Sequence, residues 1–387
     1  MTATADDLLA GVARAAQIAA THADDVDRQA RFPREAMDEL AGCGALAALV
    51  PVELGGLELG LDVLAQSCVL LGRACGATAM VFAMHTIQVA CLVRHRKDSA
   101  WFEAYLRELV ATPRLIASAT SEVATGGNLG ASSAALEPQP DGQLRFDKKA
   151  PTISYGAEAD DLLTTLRRSP DAEPGDQVAV LTRRGQHELT ETGRWDPLGM
   201  RGTCSPGFAV TATVGPAQVL PEPFDRISAI TMVPVSHVLW SHVWLGIATD
   251  AFERARAFTR AGAQRDPAGG DANGRRLSTL LGELSLLRAA VAAGLAELTT
   301  ATADDDFAGL MTMAAALRFN TLKTTASTSA PQVCWSALAM CGISGYRNDT
   351  PYSVGRHLRD ALSGSVMVAN DRLHATNARL LLVVKDV

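Results

Sequence analysis

The order of apolar and polar positions divides the chain into three parts. Residues 5–110 have the periodicity of amphipathic helices, and positions 61–93 are apolar with almost no charge, as in helices inside a bundle. Within this part, a helix is predicted to begin at Pro33 and to end near 42–44, where glycines occur. Near Thr112 the helical pattern stops, so the first part is predicted to be all-α.

Short apolar runs alternate with turns between about 114 and 226. The runs lie at 115–120, 133–136, 144–146, 162–166, 178–181 and 208–214. A Pro-Asp-Gly sequence at 140–142 predicts a hairpin turn. Spacing of this kind predicts a small antiparallel β-domain.

After about Arg226 the helical pattern returns. Long segments lie at 235–264, 275–300, 307–340 and 351–384. Four long helices with short connections predict a four-helix bundle. The fold class is therefore α+β, with an N-terminal all-α domain at 1–113, a middle β-domain at 114–226 and a C-terminal bundle at 227–387.

Composition narrows the classes of function. The formal net charge of −7 argues against nucleic acid or an anionic membrane as the main partner, because both need a basic face. No run of about 18 apolar residues is evident, so no membrane span is expected, and the first residues lack the basic region of a secretory signal. The seven cysteines and eight histidines are dispersed, so we expect neither disulfides nor a metal site, and a cytoplasmic location.

The C-terminal part carries the most informative motif. It reads Cys-Gly-Ile-Ser-Gly-Tyr at 341–346, Arg-Asp-Ala at 359–361 and Val-Ala-Asn at 368–370. This order resembles the end of the acyl-CoA dehydrogenase family, in which a Gly-Gly-x-Gly-Tyr/Phe loop precedes Arg-Asp-Ala and then a catalytic Glu-Gly-Thr. Val368 occupies the position of that glutamate. The resemblance implies a flavoprotein scaffold without its usual catalytic base.

Further segments resemble the same family in the same order along nearly the whole chain. They are Pro-Val-Glu-Leu-Gly-Gly at 51–56, Ala-Thr-Ser-Glu at 119–122 before a Gly-rich run, Ile-Ser-Tyr-Gly at 153–156, and Leu-Gly-Met-Arg-Gly-Thr at 198–203. Each segment alone is weak evidence, because a Gly cluster is usually an ordinary surface turn. The ordered set implies the family's fold, with a helical domain, an antiparallel β-domain and a four-helix bundle.

The resemblance also implies a flavin site. Thr120 and Ser121 would hydrogen-bond the pyrimidine edge or N5 of the flavin, and Ile153 and Ser154 would line the ring. Asn370, at the family's threonine position, would place a polar side chain near the flavin. FAD is the implied cofactor, although FMN or a diffusible reduced flavin stays open.

Other residues would act on the cofactor of a neighbouring subunit. Gly342 and Ile343 would let the backbone pass near its adenosine diphosphate. Arg265 keeps the spacing of the family's cofactor-holding arginine, with Arg260 as a competing match. This arrangement implies a homodimer or homotetramer.

The missing glutamate leaves the catalytic base unassigned. Some family members place the carboxylate at the start of the bundle instead, but the matching position here is about Ser236. His237, Asp371 and His85 are weak candidates: a lone histidine is more often a core residue, and Asp371 more simply pairs with a nearby arginine. Glu122 matches a structural position of the family.

Three functions compete. The leading hypothesis is an FAD-dependent oxidoreductase of acyl-CoA dehydrogenase type, acting on the CH–CH bond of an acyl thioester and passing electrons to a partner protein. The second is a monooxygenase on the same fold, which needs no glutamate and uses reduced flavin, O₂ and a flavin reductase; His85, Ser121, His237 and His242 fit it loosely. The third is a non-catalytic flavin- or acyl-binding homologue.

Overall fold

A computed structural model describes residues 4–126, 128–265, 270–303 and 307–385. The N-terminal part is helical, as predicted, with α1 (Ala5–Gln29), α2 (Arg34–Gly42), α3 (Leu61–Ala74), α4 (Gly76–His95) and α5 (Ala100–Ala111). Thr4 caps α1, because its hydroxyl accepts the backbone N–H of Asp7. Most side chains of α4 are buried, which explains why its sequence is apolar on all sides.

The middle part forms two sheets. Its strands are β1 (Ile116–Ala119), β2 (Glu137–Pro138), β3 (Leu144–Ala150), β4 (Asp161–Arg167), β5 (Gln177–Arg183), β6 (His187–Glu191) and β7 (Phe208–Val214). One sheet has the strand order β1-β4-β5 and the other β2-β3-β7-β6.

The strand pairing corrects the sequence prediction in three places. β1 and β4 pair in parallel, so the β-part is not purely antiparallel. The run at 133–136 contributes only an isolated bridge between Ala135 and Arg167. β6 was not predicted, because it lies at the surface and lacks a buried apolar face.

The C-terminal part is helical. Its helices are α6 (Phe224–Ile227), α7 (Val233–Arg265), α8 (Gly270–Ala301), α9 (Met313–Cys341), α10 (Ile343–Tyr346), α11 (Gly355–Val366) and α12 (Asn370–Leu380), with a π-helical turn at Ser228–Met232. α7, α8 and α9 pack against one another as the centre of the predicted bundle. The predicted helix at 351–384 is in fact α11 and α12, because Val368 adopts a left-handed φ of 49° between them. The domain boundaries stay predictions.

Two close approaches join the three parts. A Cβ on Gly72 of α3 would lie 2.6 Å from a backbone oxygen of α7, so these helices touch at backbone level. A Cβ on Gly199 would lie 2.1 Å from the Arg359 carbonyl oxygen in α11. The neighbouring Met200 N–H donates to Asp360 Oδ1 at 2.6 Å. The Leu-Gly-Met and Arg-Asp-Ala motifs therefore meet and connect the β-part to α11.

Three helical stretches are long and apolar enough to cross a membrane by length and composition, contrary to the sequence prediction: Gly76–His95, Phe224–Gln264 and Asn273–Ala301. In the first two, 89% of the apolar window is buried inside the protein, so core packing accounts for the composition. Only 28% of the third window is buried, and α8 exposes two large apolar side chains, Leu281 and Leu286.

Candidate functional site

The predicted flavin contacts of the β-part lie in two segments that touch. Thr120 and Ser121 follow β1, and Ser121 Oγ donates a hydrogen bond of 2.8 Å to the Thr152 carbonyl oxygen. Next along the chain, Ile153 is buried and the Ser154 hydroxyl accepts a hydrogen bond of 2.9 Å. The structure thus brings these two segments together.

Glu122 holds the loop that follows β1. Its buried carboxylate accepts the Ser132 hydroxyl at 2.7 Å and the backbone N–H groups of Ser133 and Ala134 at 3.0 Å. Burial raises the pKa of Glu122, but hydrogen bonds from Ser133 and Ser132 and the charge of Lys148 outweigh it, so the pKa is lowered overall. Glu122 is therefore an ionised structural residue.

The C-terminal helices contact the same loop. The Arg372 guanidinium of α12 donates to the Gly126 carbonyl oxygen. Asn370, at the start of α12, donates from Nδ2 to Ser327 Oγ of α9 at 3.1 Å. The two halves of the predicted flavin site are therefore connected through α12.

A buried lysine that the sequence analysis did not identify lies beside this connection. Lys323 of α9 is fully buried, and its Nζ donates to the Val368 carbonyl oxygen at 2.8 Å and to Asn370 Oδ1 at 2.7 Å. Burial lowers its pKa from 10.5 to about 8. A signal was present in the sequence: Lys323 lies four residues from both Phe319 and Ser327, on the face of α9 that carries buried residues.

Val368, at the family's glutamate position, has an unusual backbone conformation. Its φ of 49° lies in the left-handed region, where a β-branched residue is an outlier, and the residue is 45% exposed. The hydrogen bond from Lys323 to its carbonyl oxygen holds this conformation. Strain of this kind, of order 1–3 kcal/mol, is concentrated at functional sites. The connection at 367–369 is therefore a candidate part of the site.

The second family position for a carboxylate also holds no acid. Ser236, near the start of α7, donates its hydroxyl to the Met232 carbonyl oxygen. The neighbouring His237 is buried, and its Nδ1 lies 3.0 Å from the Phe319 carbonyl oxygen, so Nδ1 carries the proton. Burial and then the charge of Lys323 lower the pKa of His237 to about 3. His237 is neutral, and its Nε2 has no hydrogen-bond partner among the described residues.

His85 has both ring nitrogens engaged. Nδ1 accepts the Ile116 N–H at 3.0 Å, and Nε2 lies 2.8 Å from the Leu46 carbonyl oxygen, so Nε2 carries the proton. Burial lowers the pKa of His85 to about 4. His85 joins α4 to β1, which argues against its predicted contact with substrate or flavin.

The other predicted acid–base candidates have different surroundings. His242 Nδ1 lies 2.7 Å from the Val238 carbonyl oxygen, and its ring lines a separate cavity of about 580 Å³ between α3, α7 and α8. Asp371 is exposed in the first turn of α12, where a carboxylate interacts favourably with the helix dipole. Arg359, one of its expected partners, pairs with Asp27 instead.

Two of the residues predicted to reach a neighbouring subunit, Gly342 and Ile343, lie at the exposed junction of α9 and α10. Gly342 has a φ of 55°, and Ile343 is 71% exposed. In the described part of the chain, the backbone hydrogen bonds of this junction stay within 338–354. The side chain of Arg265 lies outside the described residues. The role of these three residues stays a prediction.

The residues at the two touching segments fit a flavin ring. An isoalloxazine ring is held by hydroxyl and N–H donors along its polar edge, and its electronics respond to nearby charge. Thr120, Ser121 and Ser154 are hydroxyl residues that are partly exposed. Asn370 adds an amide, and Lys323 adds a positive charge beside it.

The chain is similar to known proteins in both sequence and structure. The sequence model for the acyl-CoA dehydrogenase N-terminal domain matches residues 2–112. L-evernosamine nitrososynthase of Micromonospora sp. is 29% identical over 94% of this chain and 86% of its own length. Cyclohex-1-ene-1-carbonyl-CoA dehydrogenase of Syntrophus aciditrophicus is 25% identical over 88% of this chain and 80% of its own length.

Among solved structures, FMN-bound TdsC from Paenibacillus sp. A11-2 superposes with a TM-score of 0.85 over 97% of both chains. Its sequence is 18% identical, so the likeness shows the fold. The predicted architecture of helical domain, β-region and C-terminal helices is confirmed. The N-terminal part of the chain thus matches the acyl-CoA dehydrogenase family model, and the whole chain is similar to relatives named as dehydrogenases, as a monooxygenase and as nitrososynthases.

Proposed function

We propose that this protein is a flavin-dependent monooxygenase that inserts one oxygen atom of O₂ into an organic substrate. Reduced flavin, when bound, supplies two electrons and two protons, so that one oxygen atom enters the substrate and the other leaves as water. Thr120, Ser121 and Ser154 would hold the ring from the β-part, and Asn370 would contribute from α12. A flavin reductase is the partner that regenerates the reduced cofactor.

The absence of a carboxylate base carries this proposal. Val368 and Ser236 occupy both family positions for the base, and Lys323 forms no ion pair with a described carboxylate beside them. Removing the α-proton of a thioester needs a base of suitable pKa within hydrogen-bonding reach. His237 has a free Nε2, but a pKa of about 3 makes it a weak base. Oxygen insertion needs no base at an α-carbon.

His237 can accept a hydrogen bond in this reaction. Its Nδ1 proton is engaged with the Phe319 carbonyl oxygen, so Nε2 presents a fixed lone pair. Because its pKa is about 3, the ring is neutral near pH 7. We assign His237 the role of accepting a hydrogen bond from an N–H or O–H group of the substrate.

Asparagine substitution tests this role, because the asparagine amide can imitate the Nδ1 donor and removes Nε2. His237→Asn is expected to lower kcat/KM for oxygenation by roughly ten- to a hundred-fold, the value of one positioned hydrogen bond. His242→Asn is the matched control, since His242 also engages a carbonyl oxygen through Nδ1 but faces another cavity. Steady-state kinetics should show the second variant within two-fold of wild type. Equal losses of kcat/KM in both variants would contradict the role assigned to His237.

Isotope labelling tests the monooxygenase proposal itself. With reduced FMN or FAD, ¹⁸O₂ and panels of organic sulfides and amino sugars, mass spectrometry is expected to show products that carry one ¹⁸O atom. The sulfides and amino sugars follow from relatives named dibenzothiophene monooxygenase and amino sugar nitrososynthase. Label found only in water would contradict the proposal.

Dehydrogenation of an acyl thioester is the second candidate, supported by the relative named cyclohex-1-ene-1-carbonyl-CoA dehydrogenase. Its partner would be an electron-transfer protein. Anaerobic addition of an acyl-CoA panel to the protein with oxidised flavin separates the two candidates. Bleaching of the flavin absorbance would refute the monooxygenase proposal. Flavin binding with neither bleaching nor labelled product would favour a non-catalytic homologue.

We further propose that the chain works as a homodimer or homotetramer in the cytoplasm. The exposed apolar side chains of α8, Leu281 and Leu286, and the exposed Ile343 and Tyr346 support contact with a second copy. In that assembly the segment at 342–346 reaches the neighbour's cofactor, which favours FAD because FMN lacks the adenosine. Equilibrium titration with FAD and with FMN measures which flavin binds more tightly. Light scattering of the flavin-loaded protein measures the number of subunits.

A further inference from the structure

Lys323 is a buried amine with incomplete hydrogen bonding. An ammonium group has three N–H donors. Two of them are used, by the Val368 carbonyl oxygen and by Asn370 Oδ1, and both acceptors are neutral. No third acceptor is found among the described residues.

Lys148, the second fully buried lysine of the described chain, has the counter-ion that Lys323 lacks. Lys148 also donates to neutral acceptors, the carbonyl and hydroxyl oxygens of Thr165. Its charge is balanced by the Glu122 carboxylate, 4.0 Å away. Lys323 has no such carboxylate among the described residues. Buried charges in proteins are ordinarily paired, because an unpaired one carries a large desolvation cost.

The surroundings of Lys323 point to a ligand as the missing partner. Val368, whose carbonyl oxygen covers Nζ, is 45% exposed, so the amine lies one residue below the surface. The same connection precedes Asn370 and α12, whose Arg372 contacts the loop after β1. His237 is near enough for the charge of Lys323 to lower its pKa. The amine therefore adjoins the proposed flavin and substrate site.

We propose that Lys323 is an anion-binding residue, whose third N–H and positive charge bind a negatively charged group of the ligand at the α11–α12 connection. Two sources share this chemistry: the anionic ring of reduced flavin, and a carboxylate or phosphate group of the substrate. The inference rests on flavin binding as proposed above, but not on oxygen insertion.

The test measures binding and not turnover. Oxidised and reduced flavin are titrated anaerobically into the wild type, Lys323→Gln and Lys323→Met. Glutamine keeps an N–H donor for the Val368 carbonyl oxygen and loses the charge, whereas methionine loses both. In a second arm, acetate and inorganic phosphate are titrated into each protein with oxidised flavin bound, and the flavin absorbance is followed.

Loss of the charge is expected to weaken binding of the anion at least about ten-fold in both variants. If the flavin is the anion, the affinity for reduced flavin falls relative to oxidised flavin. If the substrate is the anion, the affinity for acetate or phosphate falls and the flavin ratio stays constant. Arg318→Gln is the matched control, because it removes a positive charge from the exposed face of α9, where Arg318 pairs with Glu297.

A second variant keeps the lysine and supplies its counter-ion internally. Asn370→Asp places a carboxylate where an amide oxygen lies 2.7 Å from Nζ. Lys323 then has a counter-ion within the protein and no longer needs a bound anion. The affinity for the anion is therefore expected to fall at least about ten-fold, while the folded protein is stabilised. The proposal is overturned if neither arm responds in the glutamine variant, if only the methionine variant responds, or if Asn370→Asp binds anions as tightly as wild type.

Discussion

Replacing Glu122 with alanine is expected to lower the free energy of unfolding by about 3–5 kcal/mol and to abolish flavin binding. The substitution removes the acceptor of the Ser132 hydroxyl and of the Ser133 and Ala134 N–H groups. It also removes the carboxylate 4.0 Å from buried Lys148. Buried donors without acceptors cost about 1–3 kcal/mol each, and the loop that carries the flavin contacts loses its anchor. Urea unfolding and flavin fluorescence titration measure the two effects.

Two controls separate the network from general effects of charge. Glu122→Gln keeps the shape and one acceptor oxygen, so an intermediate loss of stability is expected. Glu188→Ala removes an exposed carboxylate from β6 and should change the free energy of unfolding by less than about 0.5 kcal/mol. Unchanged flavin affinity in Glu122→Ala would show that this loop does not hold the flavin.

The second large effect is the pH dependence of the contribution of Lys323 to stability. Burial lowers its pKa from 10.5 to about 8. Below about pH 8 the amine is charged in both states, and folding bears the full cost of burying the charge. As the pH rises from about 8 toward 10.5, the folded state loses the proton first and this cost disappears. The stability of the ligand-free wild type should therefore rise relative to Lys323→Met by about 3 kcal/mol over this interval.

Urea unfolding of both proteins near pH 7 and pH 10 measures this change. The difference between wild type and variant is informative because tyrosine and cysteine titrations are common to both proteins and cancel. His237, with a pKa of about 3, does not titrate in the interval. A difference that is constant with pH would mean that Lys323 is not a buried, destabilised cation.

Local patterns predicted most elements well. The run at 208–214 is a strand with the same bounds, Phe208–Val214, because its alternation of apolar and polar residues matches a half-buried strand. The predicted helix at 235–264 is the core of α7. β6 was missed because an exposed strand has no apolar face to detect. The break at Val368 was missed because nothing in its side chain favours a left-handed backbone.

The candidate site was predictable only in part. Thr120, Ser121, Ile153 and Ser154 were identified through ordered motifs, and the structure brings their two segments together. The protonation state of each histidine could not be predicted from the sequence, because it depends on the oxygen or N–H group that faces each ring nitrogen. His85 shows this: its partners are Leu46, in a short 3₁₀ helix, and Ile116 of β1.

By itself, the sequence determined the order of helices and strands, the family motifs and the absence of a glutamate at position 368, because periodicity and motifs are local properties of a chain. Tertiary structure alone decided that a buried amine lies beside that position. Lys323 and Val368 are 45 residues apart, and their contact exists only because α9 packs against α11 and α12. A side chain's charge and basicity depend on burial and neighbouring charges, which only the folded chain defines.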